Sequence, residues 1–495
     1  MTRRPFLSAL AASILVAAGA AGLAARQTAA TRPVDPALAA ELDAIFDAPV
    51  FARALVGVRV ESLGTGEMLY ARNSNRLVVP ASNMKILTLA AAAERLGWDF
   101  RYVTTLESTG TTEDGTLHGD LVVTGSGDPS IVSQDFGPSP VFSEWADALW
   151  NAGIRRVDGR IIGDDNAFDD DDLGAGWAWD YLADGYAAPM GALSYNENVA
   201  VLRAWPGAAP GAPVRVELTP PGHGLVLTNA LTTGPADSTG DVTLLRLPGD
   251  VHLTVRGRVP AGGKVVTETA SIDRPTRVFV EALRLALAGR GVLVAGPAVD
   301  IDDITDAPPA GARRLVARRE SMPLSSLSGY FMKVSQNFYA ETLLKTVGHA
   351  TGVPGSAESG RKAATETLVS WGVPADSFVM YDGSGLSRYD YVTADGIVTI
   401  LRHVWQDERL RGPFLAALPV GGHDGTLRSR MKDPILDAHV QAKTGTISNV
   451  RSLSGYLHTR SGDTLVFSMI ANHFTAPSAE VDKVVEAALA KLAQR

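Results

Sequence analysis

Three short polar runs could do chemistry together: Ser82-Asn-Met-Lys85, Ser335-Gln-Asn337 and Lys443-Thr-Gly-Thr446. A serine hydroxyl is a weak nucleophile and needs a base beside it. Ser82 and Lys85 open an Ala/Leu-rich segment, Ser82 to Leu96, that reads as a helix stopped by Gly97. Three residues apart on a helix, their side chains share one face. A lysine serves as the base only when its pKa falls from about 10.4, through burial or a neighbouring cation. Lys443 is a candidate for that cation. Lysine is scarce here, 9 residues against 36 arginines, so each one inside a motif carries weight.

The second and third runs suit substrate handling. Lys443-Thr-Gly-Thr446 lies in a β-like run, His439 to Ile447, along which an extended peptide could add as a strand. Lys443, Thr444 and Thr446 suit a carboxylate, and Gly445 would let a substrate backbone come close. Ser335 offers a hydroxyl for proton relay and Asn337 an amide for a substrate carbonyl. Each run also has an ordinary reading: Ser82 as a helix N-cap, Ser335 to Asn337 as the polar start of a helix before Phe338. Their order along the chain is what discriminates.

The elements that must position these residues come from both ends of the chain. Pro36 to Phe46 reads as a short helix, and Leu55 to Ser62 with Glu67 to Ala71 as a hairpin. From Trp98 to about Pro309 short β-like runs alternate with Gly, Pro and Asp turns, with one helical stretch near Arg277 to Ala288. Helical patterns return at Leu324 to Thr346, Ser359 to Trp371 and Ala394 to Trp405. Two strands, Val450 to Thr459 and Thr464 to Ala471, precede a last helix from Ser478 to Gln494. Its apolar face and mixed-charge polar face predict packing against a core, not a membrane surface.

The trio, in this order, is the signature of penicillin-recognising serine enzymes. More closely, the chain resembles the D-alanyl-D-alanine carboxypeptidase/endopeptidase family, the class C low-molecular-mass penicillin-binding proteins. The matches are Pro80-Ala-Ser-Asn-Met-Lys85, Gly191 to Asn198, Val334-Ser-Gln-Asn337, Asp382-Gly-Ser-Gly-Leu-Ser387, Leu418 to Leu427 and Ala442-Lys-Thr-Gly-Thr446. The long insert between the first two motifs is also a feature of that family. The resemblance implies an α/β (α+β) fold: a penicillin-binding, serine β-lactamase-like catalytic domain split by a large inserted region with a nested β-rich domain. The expected division is residues 31–97 with 312–495 (catalytic), 98–190 with 270–311 (inserted), and 191–269 (nested).

By motif match the resemblance makes Ser82 the acylated nucleophile, Lys85 its base and Ser335 the relay. Asn337, Lys443, Thr444, Gly445 and Thr446 hold the substrate, and the backbone N–H groups of Ser82 and Thr446 form the oxyanion hole. It also hints that an acid of the run Asp164 to Asp172, Asp165, meets an amine on the substrate side chain. Asp382 and Arg428 would position the site. The activity implied is hydrolysis of D-Ala-D-Ala termini or D-alanyl cross-links, with peptidoglycan stem peptides and β-lactams as partners. Peripheral association with the membrane or the cell-wall machinery is compatible with it. The alternatives are a β-lactamase or esterase on the same fold, and a non-catalytic wall-binding protein, which would be expected to lose Ser82, Lys85 or Lys443.

Composition narrows the field further. The 495 residues are 45% hydrophobic and 20% charged, as in ordinary soluble proteins, and a net charge of −9 argues against nucleic acid as a partner. With no cysteine there is no disulfide, thiolate metal site or cysteine nucleophile. The nine histidines show no ligand spacing, so no metal or other cofactor is expected. No serine lies in G-x-S-x-G, which excludes an α/β-hydrolase elbow. Arg3-Arg4 followed by uncharged Phe6 to Ala25 reads as a signal peptide over residues 1–30, and the arginine pair resembles a twin-arginine signal. The expected location is the periplasm or cell envelope.

Overall fold

The computed structural model describes residues 35–134 and 137–495, so the expected signal peptide lies outside the described residues. Both ends of the chain build one five-stranded antiparallel sheet, in the order Met68–Arg72, Leu55–Ser62, Thr464–Asn472, Val450–His458, Val440–Ile447. The central strand Thr464–Asn472 is buried on both faces, which is why it reads as an almost unbroken apolar run. Its side chains alternate between two cores. Leu465, Phe467 and Met469 meet helix α1 (Pro36–Phe46) and the last helix, α10 (Ser478–Ala493). Val466 and Ile470 face the opposite core, formed with α2 (Met84–Leu96), α5 (Leu324–Val334), α6 (Asn337–His349), α7 (Ala357–Ser370), α8 (Ala394–Gln406) and α9 (Glu408–Ala417).

The last helix buries Val481, Val485, Ala488, Leu489 and Leu492, the apolar stripe read from its sequence. No helix among the described residues is long and apolar enough to cross a membrane.

Between α2 and α5 the chain forms two further bodies of core. One has a five-stranded mixed sheet, in the order Ala298–Asp300, Ile161–Asp164, Leu121–Thr124, Val103–Ser108, Arg314–Glu320. Helices α3 (Pro140–Asn151) and α4 (Pro275–Gly289) cover it through Phe142, Trp145, Phe279 and Leu283. The strand Arg314–Glu320 pairs with Val103–Ser108, so this sheet continues past residue 311, where the sequence reading ends the insert. The other body has two three-stranded sheets, built on Val199–Trp205 and on His252–Pro260. Their shared core includes Leu202, Ala204, Leu231, Leu253 and Val255.

Three local expectations change. Helix α3 falls in a stretch read as β-rich; Pro140 sits at its N-terminus, where a missing N–H costs nothing. Helix α9 carries Pro413 in its interior and was not anticipated. Leu324 to Thr346 is two helices, because Ser335 adopts the left-handed conformation (φ 65°, ψ 37°) and ends α5. Gln336 then caps α6 through its own side chain, which accepts from the Phe338 N–H.

Candidate active site

Ser82 lies in a 3-10 turn, Ala81–Asn83, that feeds directly into α2. Two hydrogen bonds pin this turn against the strands Val440–Ile447 and Val450–His458. The Asn83 amide donates to the Lys443 carbonyl at 2.9 Å, and the Ser452 hydroxyl donates to the Pro80 carbonyl at 2.7 Å. A Cβ at Gly445 would sit 2.9 Å from the Ser82 nitrogen and 2.8 Å from the Pro80 oxygen. The glycine is therefore required by the protein's own chain around Ser82. The space its missing side chain leaves is occupied by the Ser452 hydroxyl and the Pro80–Ser82 backbone.

One turn into α2, Lys85 is wholly buried. Its Nζ lies 2.9 Å from Ser82 Oγ, 2.6 Å from Asn337 Oδ1 and 2.8 Å from the Ser384 carbonyl oxygen. Burial pushes the amine down to about 7, against the opposing pull of Asp382, Glu341 and Asp390. A neutral amine has two N–H bonds and one lone pair. Asn337 Oδ1 and the Ser384 carbonyl take the two hydrogens, so the lone pair is left facing the Ser82 hydroxyl. That is the orientation a general base requires.

A second buried lysine stands nearby. Lys443 Nζ donates to Ser335 Oγ at 2.8 Å and to the Thr444 carbonyl at 2.7 Å. Burial, with the Lys85 ammonium adding to it, holds Lys443 well below the ordinary lysine range. The left-handed turn at Ser335 brings its hydroxyl to this amine, although 108 residues separate the two in sequence. Asn337 bridges the insert and the catalytic helices: its Oδ1 accepts from Lys85 and its Nδ2 donates to the Tyr186 carbonyl at 2.8 Å.

These side chains open into a cleft of about 380 Å³. Ser82, Ser335, Asn337, Thr444 and Thr446 line it, joined by Tyr181, Tyr186, Gly385, Leu386, Thr426, Ile447 and Ser448. The Thr426 and Thr444 hydroxyls share a hydrogen bond of 2.7 Å. Arg451 donates to the Thr446 hydroxyl while paired with Asp482.

Asp165 is not brought there. It lines a separate concavity with Asp169, Asp170, Asp172, Thr276, Asp300 and Asp302. It accepts from the Thr276 hydroxyl, and burial pushes its carboxyl upward. The carboxylates of Asp165, Asp300 and Asp302 converge to within 4.8 Å of one another. Asp165 follows the strand Ile161–Asp164 and bonds to Thr276 on α4, and it is not among the residues that line the cleft.

Behind Lys85 stand Glu341, which motif reading missed, and Asp382, which it named as a positioning residue. Glu341, fully buried on α6, accepts from the Gly383 and Ser384 N–H groups at 2.9 and 2.8 Å, and so fixes the carbonyl that receives Lys85. Asp382 accepts from the Gly385 and Ser387 N–H groups and from the indole of Trp177. Gly385 (φ 83°) faces the Ala81 carbonyl so closely that no side chain fits. The segment Asp382 to Ser387 was singled out as a match, and its glycines were the available signal. Arg428 is exposed and does not line the cleft.

Comparison with known proteins agrees with this geometry. The chain matches the D-Ala-D-Ala carboxypeptidase 3 (S13) family over residues 38–495. It is 33% identical over 451 residues to the D-alanyl-D-alanine carboxypeptidase of Actinomadura sp. (strain R39), covering 88% of this chain and 81% of that one. It is 25% identical over 432 residues to the D-alanyl-D-alanine carboxypeptidase DacB of Haemophilus influenzae, covering 86% and 87%. The fold is that of penicillin binding protein 4 (dacB) from Haemophilus influenzae, with a TM-score of 0.78 at 22% identity over 92% of this chain and 99% of that one. On these grounds the chain belongs to the D-Ala-D-Ala carboxypeptidase 3 (S13) family and is a serine-type D-Ala-D-Ala peptidase.

Proposed function

We propose that Ser82 is the residue acylated in this reaction and that Lys85 takes its proton. The observation that carries the reading is the buried Lys85 Nζ, 2.9 Å from Ser82 Oγ, with both of its other directions occupied by acceptors. Ser82 Oγ attacks the carbonyl carbon of the D-alanyl bond as its proton passes to Lys85. The oxyanion is received at the mouth of the cleft, where the N–H groups of Ser82 and Thr446 are the donors by motif match. Ser335, hydrogen-bonded to Lys443, then relays the proton from Lys85 to the departing amine, giving up its own hydroxyl proton as it takes the new one, which leaves Lys85 neutral again. Water attacks the acyl carbon as its proton passes to Lys85, and that proton returns to the Ser82 oxygen as the acid product leaves.

Thr444 and Thr446 line the cleft beside Lys443 and suit the terminal carboxylate; Asn337 presents its amide to the substrate backbone. The substrates are D-Ala-D-Ala termini and D-alanyl cross-links of peptidoglycan, and β-lactams acylate the same serine. The setting is the periplasm or cell envelope, after export. Separate apolar cores support the division into a split catalytic domain, an inserted domain and a nested β-rich domain, with the return to the catalytic domain between the strand Arg314–Glu320 and α5.

Intact-mass analysis after incubation with benzylpenicillin tests the reading. The protein is expected to gain one equivalent of the ring-opened drug, and Ser82→Ala none. A folded parent that gains nothing would remove the acyl-enzyme mechanism.

A further inference from the structure

A second concavity, of about 290 Å³, adjoins the cleft on the side of the nested β-rich body. Its walls are Trp179, Asp180 and Ala183 on one side, and Leu244 to Leu247, Asp250, His252 and Thr254 on the other. The two sites share one short element. Trp179 and Tyr181 begin and end a single 3-10 turn, with Tyr181 lining the catalytic cleft and Trp179 lining the second concavity. Two residues of chain span at most roughly 7 Å, so the backbone positions that carry the two rings lie close together.

The concavity is built, not incidental. Arg246 lies in its wall with a side chain only 5% exposed. The guanidinium donates to the Leu182 carbonyl, the Ser271 hydroxyl, and the Ile272 and Asp250 carbonyls. The Ser271 hydroxyl donates to Leu182 as well. These bonds clamp the turn onto the nested body and hold the two walls at a fixed separation before any ligand arrives. Against that fixed wall, Trp179 is 66% exposed and Leu247 62% exposed. Large apolar side chains left open on a rigid surface mark binding sites.

We infer that this concavity is a saccharide subsite, which takes the amino sugar that carries the stem peptide being cleaved. The inference rests on the peptidase reading above. An indole face suits the C–H face of a sugar ring, and an apolar body beside polar groups is the usual composition of such a pocket. Asp180, Asp250, the His252 ring and the Thr254 hydroxyl supply acceptors and donors around Trp179 for hydroxyl and acetamido groups. A second peptide arm fits less well, because Asp180 and Asp250 repel its carboxylates. A stem of about four residues reaches at most roughly 14 Å from the bond cut to its sugar, a distance suited to a neighbouring pocket.

The test compares a synthetic stem peptide ending in D-Ala-D-Ala with the same peptide carrying its N-acetylated disaccharide. The disaccharide form is expected to have a KM roughly fivefold lower at equal kcat, the gain of one aromatic contact. Trp179→Ala should erase that difference and leave kcat/KM on the bare peptide unchanged, while Trp179→Phe keeps part of it. Binding of both peptides to Ser82→Ala, read by calorimetry, gives the same contrast without turnover. It therefore separates failure of this inference from failure of the peptidase mechanism. No sugar advantage in the parent, or an advantage that survives Trp179→Ala, overturns the assignment. So does a Trp179→Ala defect confined to a sugar-free cross-linked peptide dimer, which would place a peptide arm there instead.

Discussion

The cleft and the aspartate-rich concavity of the insert each gather like charges, yet only one is arranged for chemistry. In the cleft, Lys85 and Lys443 are fully buried, and burial pushes both amines down toward neutrality. Every polar direction of Lys85 is matched: two carbonyl-type acceptors and one serine hydroxyl. In the insert, Asp165, Asp300 and Asp302 are pushed up, Asp300 to about 7, chiefly by burial and then by neighbouring carboxylates of the acidic cluster. They remain partly open to water, and Asp165 is tied to a structural threonine. Charge density is therefore not what makes a reactive site. Closure from water, with a partner for every remaining proton but one, is.

The largest effect that would sharpen this contrast is on Lys85. Lys85→Ala removes the base and leaves Asn337 Oδ1 and the Ser384 carbonyl without their donor. Acylation by benzylpenicillin, followed by stopped-flow or quenched mass analysis, is expected to slow by about 10³-fold or more. A loss below tenfold would mean that Lys443 or solvent serves as base, and the cleft would lose its distinction.

The next effect is on pH dependence. With Lys85 held at about 7, the amine is protonated and useless below that pH and free above it. The acylation rate should rise with pH, reach half its plateau near 7, and level off above. Lys85→Arg, whose guanidinium stays charged, should give a low and flat profile. A parent profile still rising at pH 9 would show that burial does not depress this lysine.

The smallest effect belongs to the insert. Burial holds the native pKa of Asp165 above its unfolded value, so stability from this group is lost as pH rises through the native pKa, and the cost of ionising it is fully present above that pKa. Asp165→Asn removes that cost and can still accept from Thr276. Stability at pH 7, measured by urea unfolding, should rise by no more than about 1 kcal/mol, with acylation and peptide turnover unchanged. A tenfold rise in KM for a stem peptide would restore Asp165 to the substrate and undo the comparison.

Much of the framework was legible because it depends on near neighbours. Helix α1, the hairpin Leu55–Ser62 with Met68–Arg72, and the two strands before α10 follow from the period of apolar residues alone. Helix α9 was hidden by Pro413, which ordinarily argues against a helix interior. The break at Ser335 was hidden for the opposite reason: helical periodicity continues on both sides of a single left-handed residue.

The sequence by itself determined which groups could react. Ser82 and Lys85 lie one turn apart on one face, a local relation that any helix enforces, and two further motifs supply a hydroxyl, an amide and a second amine. Only the tertiary structure decided what surrounds them. Glu341 and Asp382 fix the carbonyl behind Lys85, Asn83 and Ser452 lock the Ser82 turn to two strands through partners 360 and 372 residues apart, and Gly445 makes room for that turn. The same packing sends Asp165 to α4, not the cleft. Reactivity of a buried amine depends on how completely distant segments exclude water and supply acceptors, and no spacing along the chain encodes that.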